Sequence, residues 1–146
     1  MKILVLIFSL VVFSSTAFAD LSISASEATV RAPIPGMKNT VGYVQLTNMG
    51  TKDVILVSAK SSASEILEFH NHDMNNGVMR MYQEMEVKIP AGDTIVFESG
   101  GLHLMFLKVE PELNSAKLVD VLFTTKSGES FTVPFKVHKL KVKHHH

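Results

Sequence analysis

Beyond residue 20, apolar and polar positions alternate in short runs broken by turn residues, the two-residue period of strands that bury one face. Leu21, Ile23 and Ala25 alternate with Ser22 and Ser24. Runs over 43–47 and 54–57 flank the turn Asn48-Met49-Gly50, and further runs cover 66–70, 78–82, 85–89, 94–97, 102–109, 118–124 and 131–137. The separators are rich in Pro, Gly, Asn and Asp, as at Pro33-Ile34-Pro35-Gly36, Asn75-Asn76-Gly77, Pro90-Ala91-Gly92-Asp93 and Gly100-Gly101. Lys126-Ser127-Gly128 lies between two β-rich runs and predicts a hairpin loop. Within 85–89, Met85, Val87 and Ile89 share one side, which places Met85 in the core. The segment 58–63 is small and polar and predicts a loop or at most one helical turn. No long helical stripe is present. About nine short strands predict one all-β domain, a Greek-key sandwich or barrel.

The N-terminal segment has a different pattern. Residues 1–19 carry one charge, Lys2, then an apolar run over 3–13, then Ser14-Ser15-Thr16 and the small-residue end Ala17-Phe18-Ala19. This is the pattern of a secretory signal cleaved between Ala19 and Asp20. The apolar run falls short of the about 20 residues a membrane span requires, and no Cys stands at the cleavage point to take a lipid. The expectation is an exported domain over 20–138, without stable membrane insertion, followed by a short basic and His-bearing tail over 139–146.

Composition narrows the chemistry. Fourteen Lys and Arg balance fourteen Asp and Glu, so the basic footprint of a nucleic-acid binder is missing. Hydrophobic residues at 46% against charged residues at 19% give ample material for a core. The absence of Cys removes disulfides, thiolate zinc sites, iron–sulfur clusters and cysteine nucleophiles. Sulfur is present only as thioether, and Met74, Met79, Met81, Met85 and Met105 cluster in sequence with His70, His72 and His103. Imidazole and thioether together are ligands for soft or borderline metals, copper(I) above all.

Strand geometry sharpens that reading. His103 and Met105 are two apart in a run and point to one face, while Leu102, Leu104 and Phe106 point to the other. His70 ends the 66–70 run, and Met81 lies in the strand that follows Asn75-Asn76-Gly77. If those strands adjoin, His70, Met81, His103 and Met105 form a site of two imidazoles and two thioethers with no anionic ligand. Zinc normally takes Cys, His or carboxylate, whereas copper(I) accepts such neutral ligands. Met79 shares a face with Met81 and is either a wall residue or a substitute ligand. His72 and Met74 either assist capture or are solvated, and Glu68 and Asp73 are candidates for tuning the local charge. Met37 and Met49 fall in loops as surface thioethers, and His138 reads as structural or exposed.

These residues resemble a known family. Glu68-Phe69-His70-Asn71-His72, Gly77-Val78-Met79-Arg80-Met81, Ile89-Pro90-Ala91-Gly92 and Gly100-Gly101-Leu102-His103-Leu104-Met105 are similar to the periplasmic copper chaperones called PCuAC. The metal motif of that family is His, ten residues, Met, twenty-one residues, His, one residue, Met. It falls on His70, Met81, His103 and Met105 with every gap matched. Arg31-Ala32-Pro33 and Gly42-Tyr43 leading to Thr47-Asn48 extend the similarity over the mature chain. A Trp common just before the family's Arg is replaced here by Thr29-Val30.

The resemblance implies a cupredoxin-like β-sandwich, located in the periplasm, that binds copper(I) at a shallow surface site and passes it on by ligand exchange. It implies as recipient the dinuclear copper centre of cytochrome c oxidase subunit II, in some members with a Sco-type partner. His144–His146 read either as a weak second site for copper(II) or as a partial purification tag. A blue-copper electron carrier needs a Cys thiolate, which this chain lacks. No Ser–His–Asp pattern or carboxylate cluster marks an enzyme. The alternatives are a periplasmic copper-sequestering protein and a β-sandwich binding module in which His and Met merely pack.

Overall fold

The computed structural model describes residues 21–139. The predicted signal over 1–19 and the histidines His144–His146 lie outside the described residues. Among the described residues there are ten strands: β1 (Ile23–Arg31), β2 (Asn39–Asn48), β3 (Val54–Lys60), β4 (Ser64–Asn75), β5 (Val78–Glu84), β6 (Val87–Ile89), β7 (Thr94–Phe97), β8 (His103–Val109), β9 (Leu118–Thr125) and β10 (Ser130–His138). A short 3₁₀ helix, Pro111–Asn114, buries Leu113 between β8 and β9. No helix among the described residues is long and apolar enough to cross a membrane.

The strands follow one hydrogen-bonded path, β5-β4-β8-β2-β1-β10-β9-β3-β6, with β7 also on β2. All pairings are antiparallel except that of β1 with β10, which is parallel. Neighbours that are distant in sequence, such as β4 with β8 and β9 with β3, require Greek-key crossovers. The path folds over on itself. Phe69 of β4 stacks on Phe123 of β9 with ring centroids 6.4 Å apart, although four strands separate β4 from β9 along the path. The result is a two-layered, cupredoxin-like β-sandwich closed over Phe97, Phe106, Phe123, Phe135 and the aliphatic side chains between them.

Two features hold the layers in register. β2 buries alternate residues, and at Gly42 the core face carries no side chain: an added Cβ would lie 2.7 Å from the ring of Phe106. The buried Asn48 donates from Nδ2 to the carbonyls of Lys52 and Ile89 and accepts from the amide of Gly50. It thereby joins the end of β2 to the turn before β3 and to the end of β6.

Several expectations change. The first strand runs to Arg31, well past Ala25, by way of a bulge between Ser26 and Thr29. The segment 58–63 divides: β3 continues through Lys60 because Ser58 to Lys60 pair with β9, and the turn is confined to 61–63, closed by the bridge between Ser61 and Ser64. Met85 is not in the core. It lies between β5 and β6, 71% exposed, while Val87 and Ile89 are buried as expected. His70 does not end its strand. β4 runs five residues further because β5 supplies hydrogen-bond partners out to Asn75.

Candidate metal centre

The extension of β4 builds the site. Asn76 and Gly77 turn the chain with φ of 51° and 77°, the left-handed pair of a two-residue type I′ hairpin. β5 therefore returns along β4 as an edge strand, almost wholly exposed. On the other side of β4 lies β8, with His70 directly across from His103 and Glu68 across from Met105. Toward β5, His70 lies across from Gln83, His72 from Met81 and Met74 from Met79.

Paired residues share a face, and residues two apart on a strand share it too. Register thus gathers His70, Met81, His103 and Met105 on one face of three adjacent strands, with Glu68 and His72 among them. Phe69, Leu104 and Phe106 occupy the opposite face and enter the core. Asp73 and Glu84 also fall opposite the site by alternation, so Glu68 is the carboxylate that faces the imidazoles.

Hydrogen bonds fix which ring nitrogens are bare. His103 Nδ1 lies 2.8 Å from the Gly101 carbonyl. A carbonyl only accepts, so Nδ1 carries the proton and Nε2 keeps its lone pair. His70 Nε2 lies 2.7 Å from Glu68 Oε2 and donates to it, which in the neutral ring leaves Nδ1 as the lone-pair nitrogen. That Nδ1 is buried and has no hydrogen-bond partner among the described residues. Such a vacancy is costly for a polar atom, and a metal ion filling it would satisfy the nitrogen. A carboxylate behind a ligating imidazole is also the arrangement that fixes a metal ligand's tautomer and orientation.

The rings themselves are close. The His70 and His103 centroids are 5.9 Å apart, and His72 stacks on His103 at 5.1 Å with the planes inclined by 28°. His72 Nδ1 reaches the same Gly101 carbonyl at 3.4 Å. His103 is the buried member, and desolvation lowers its pKa below the usual 6.5, reinforced by His72 and His70 and opposed by the Gly101 carbonyl. The buried ring thus favours the neutral form that ligates metals.

Of the sequence-predicted residues, His70 and His103 face each other, and Met105 follows one alternation along β8. Met81 shares the face but pairs directly with His72, reaching His70 only on the diagonal. His72, whose role the sequence left open, stands between Met81 and His103. Glu68, named only as a charge that tunes the site, is the hydrogen-bond partner of His70. The two-residue spacing Glu68-Phe69-His70-Asn71-His72 is the sequence signal that places all three on one face.

The donor set suits a soft monovalent ion. It offers two bare imidazole nitrogens and two thioethers, with no thiolate. Among the described residues no group of three or more His, Asp or Glu converges as a metal site. The single negative charge of Glu68 balances a monovalent cation and leaves a divalent one with excess charge in a partly dry site. Met81 is 49% exposed, so this side of the arrangement faces solvent.

Comparison with known proteins places the chain among relatives. The family described as "Putative lipoprotein LpqE-like" matches residues 23–137. "Putative lipoprotein Lxx21020" of Leifsonia xyli subsp. xyli is 31% identical over 116 residues, 79% of this chain and 69% of the relative. Among solved structures, the apo PCuAC domain from PmoF1 superposes with a TM-score of 0.69 at 19% identity, covering 83% of this chain and 98% of that one. The copper-bound PCuAC domain from PmoF2 gives 0.68 at 16% identity, covering 82% and 96%. The copper(I) form of DR1885 from Deinococcus radiodurans gives 0.59 at 24% identity, covering 87% and 85%. At these identities the structural likeness establishes a shared fold.

Proposed function

The chain belongs to the LpqE-like family, and from that premise we propose that it is a copper(I) metallochaperone of the cell envelope. The observation that carries this reading is the Nδ1 of His70, buried and without a partner among the described residues, held across from His103 with Met81 and Met105 on the same sheet face. Neutral nitrogen and thioether donors match copper(I). One structural neighbour is by name a copper-bound PCuAC domain and another is the copper(I) form of DR1885, and the lipoprotein names of the relatives support an envelope location. In this reading residues 1–19 are removed near Ala19 and Asp20, and the mature domain over 20–138 works in the periplasm without catalysing a reaction.

Copper(I) is the cargo. Glu68 holds the proton of His70 on Nε2, and Gly101 holds that of His103 on Nδ1, so both rings present lone pairs without rearrangement. Met81, on the exposed edge strand, is the ligand an acceptor reaches first, and ligands exchange one at a time with no change in oxidation state. The proposed recipient is the dinuclear copper centre of cytochrome c oxidase subunit II, directly or with a Sco-type partner.

The test is to mix copper(I)-loaded protein with copper-free subunit II in the presence of a competing chelator. Appearance of the dinuclear centre faster than chelator-buffered copper supplies it supports delivery. Tight binding with no transfer would leave sequestration as the function, and no binding would reject a copper role.

A further inference from the structure

The thioethers do not stop at the proposed site. Met74 and Met79 form a cross-strand pair near the tip of the β4–β5 hairpin, on the face that carries His72 and Met81 one alternation inward. The turn holds two residues, so the flanking pair Asn75–Val78 is hydrogen-bonded and the next pair, Met74–Met79, is not. Non-hydrogen-bonded pairs bring side chains closest, with Cα atoms about 4.5 Å apart. The same alternation makes His72–Met81 and His70–Gln83 non-hydrogen-bonded pairs, so the soft donors line up along one edge.

Packing does not explain these methionines. Met in a strand is ordinarily a core filler, yet Met74, Met79 and Met81 are 62%, 56% and 49% exposed. Exposed apolar side chains on an edge strand are an association hazard. Thioether is the chemistry that the three have in common with the inner site.

We propose that Met74 and Met79 form an outer thioether site for copper(I), an entry port from which the ion passes by way of Met81 and His72 to His70 and His103. This rests on the copper(I) reading of the inner site. Two thioethers without imidazole or charge hold the ion more weakly than the inner set, so the gradient runs inward. In each exchange one bond from copper to sulfur or nitrogen breaks as a bond to the next sulfur or nitrogen forms, and neither electrons nor protons are transferred.

The experiment uses the wild-type protein labelled with methyl-¹³C methionine, titrated anaerobically with copper(I), alongside the double variant Met74→Leu/Met79→Leu. The methyl signals of Met81 and Met105 should move with the first equivalent and those of Met74 and Met79 with the second. Uptake of copper(I) from a chelator complex should slow about tenfold in the double variant, which has lost a tethered local supply of the ion. Both substituted side chains are exposed, and a thermal melt of the variant confirms that it folds. Methyl signals of Met74 and Met79 that stay fixed past the second equivalent, or uptake at the wild-type rate, would overturn the outer site. If the Met81 and Met105 signals also stay fixed, the proposed function itself falls.

Discussion

Removing the carboxylate of Glu68 separates a designed metal ligand from a histidine that is merely buried. Its Oε2 accepts from His70 Nε2 at 2.7 Å, and that bond keeps the lone pair on the buried Nδ1. Without it, the imidazole can take its proton on Nδ1, or rotate, and lose the donor atom. Outer partners of ligating histidines contribute about 10–100-fold in metal affinity, or about 1.4–2.8 kcal/mol. The Glu68 side chain is 26% exposed, so solvent screening favours the lower part of that range, about tenfold. The assay is competition for copper(I) against a calibrated chelator near neutral pH, with wild type, Glu68→Ala and Glu68→Gln compared. Glu68→Gln keeps an acceptor oxygen and should retain most of the affinity that Glu68→Ala loses. Unchanged affinity in Glu68→Ala would refute the assignment of His70 Nδ1 as the donor. Equal losses in both variants would refute tautomer control and leave charge as the contribution.

Other consequences concern pH and packing. Burial holds the His103 pKa below its usual 6.5, so just below that pH the unfolded chain binds a proton that the folded chain refuses. Stability of the copper-free protein should therefore be complete above about 6.5 and decline as pH falls through and below it. His103→Phe should flatten this decline in thermal melts at several pH values, and parallel slopes in the two proteins would contradict it. Gly42→Ala should cost about 1–3 kcal/mol in denaturant unfolding, because the new methyl meets the buried Phe106 ring at 2.7 Å. Asn48→Ala strands the carbonyls of Lys52 and Ile89 and the amide of Gly50, and should cost about 1–3 kcal/mol by the same measurement. A loss under about 0.5 kcal/mol in either variant would contradict the packing described.

The legible parts of the site were those set by local periodicity. His103-Leu104-Met105 alternates between a core face and a site face within one strand, so its geometry followed from the chain alone. The turn at Asn76-Gly77 was equally plain, because few residue pairs tolerate two left-handed conformations in succession. The outer half of β4 was obscure because Asn71 to Asn75 belong to an edge hairpin with no buried face, and polar residues there look like a loop. Lys60 at the end of β3 was hidden for a related reason, since its pairing partner is Leu122, distant in sequence. The place of His72 beside His103 depends on the register of β4 against β8, a non-local pairing that spacing does not encode. Met85 misled because alternation with Val87 and Ile89 continues past the point where the strand ends.

In the proposed function His70, Met81, His103 and Met105 together hold copper(I). X-ray absorption at the copper edge of the anaerobically loaded protein, compared with His103→Ala, tests it most directly. A mixed nitrogen and sulfur neighbour shell is expected in the wild type, and a shell poorer in nitrogen in the variant. A shell without sulfur, or one that the loss of His103 leaves unchanged, would contradict it.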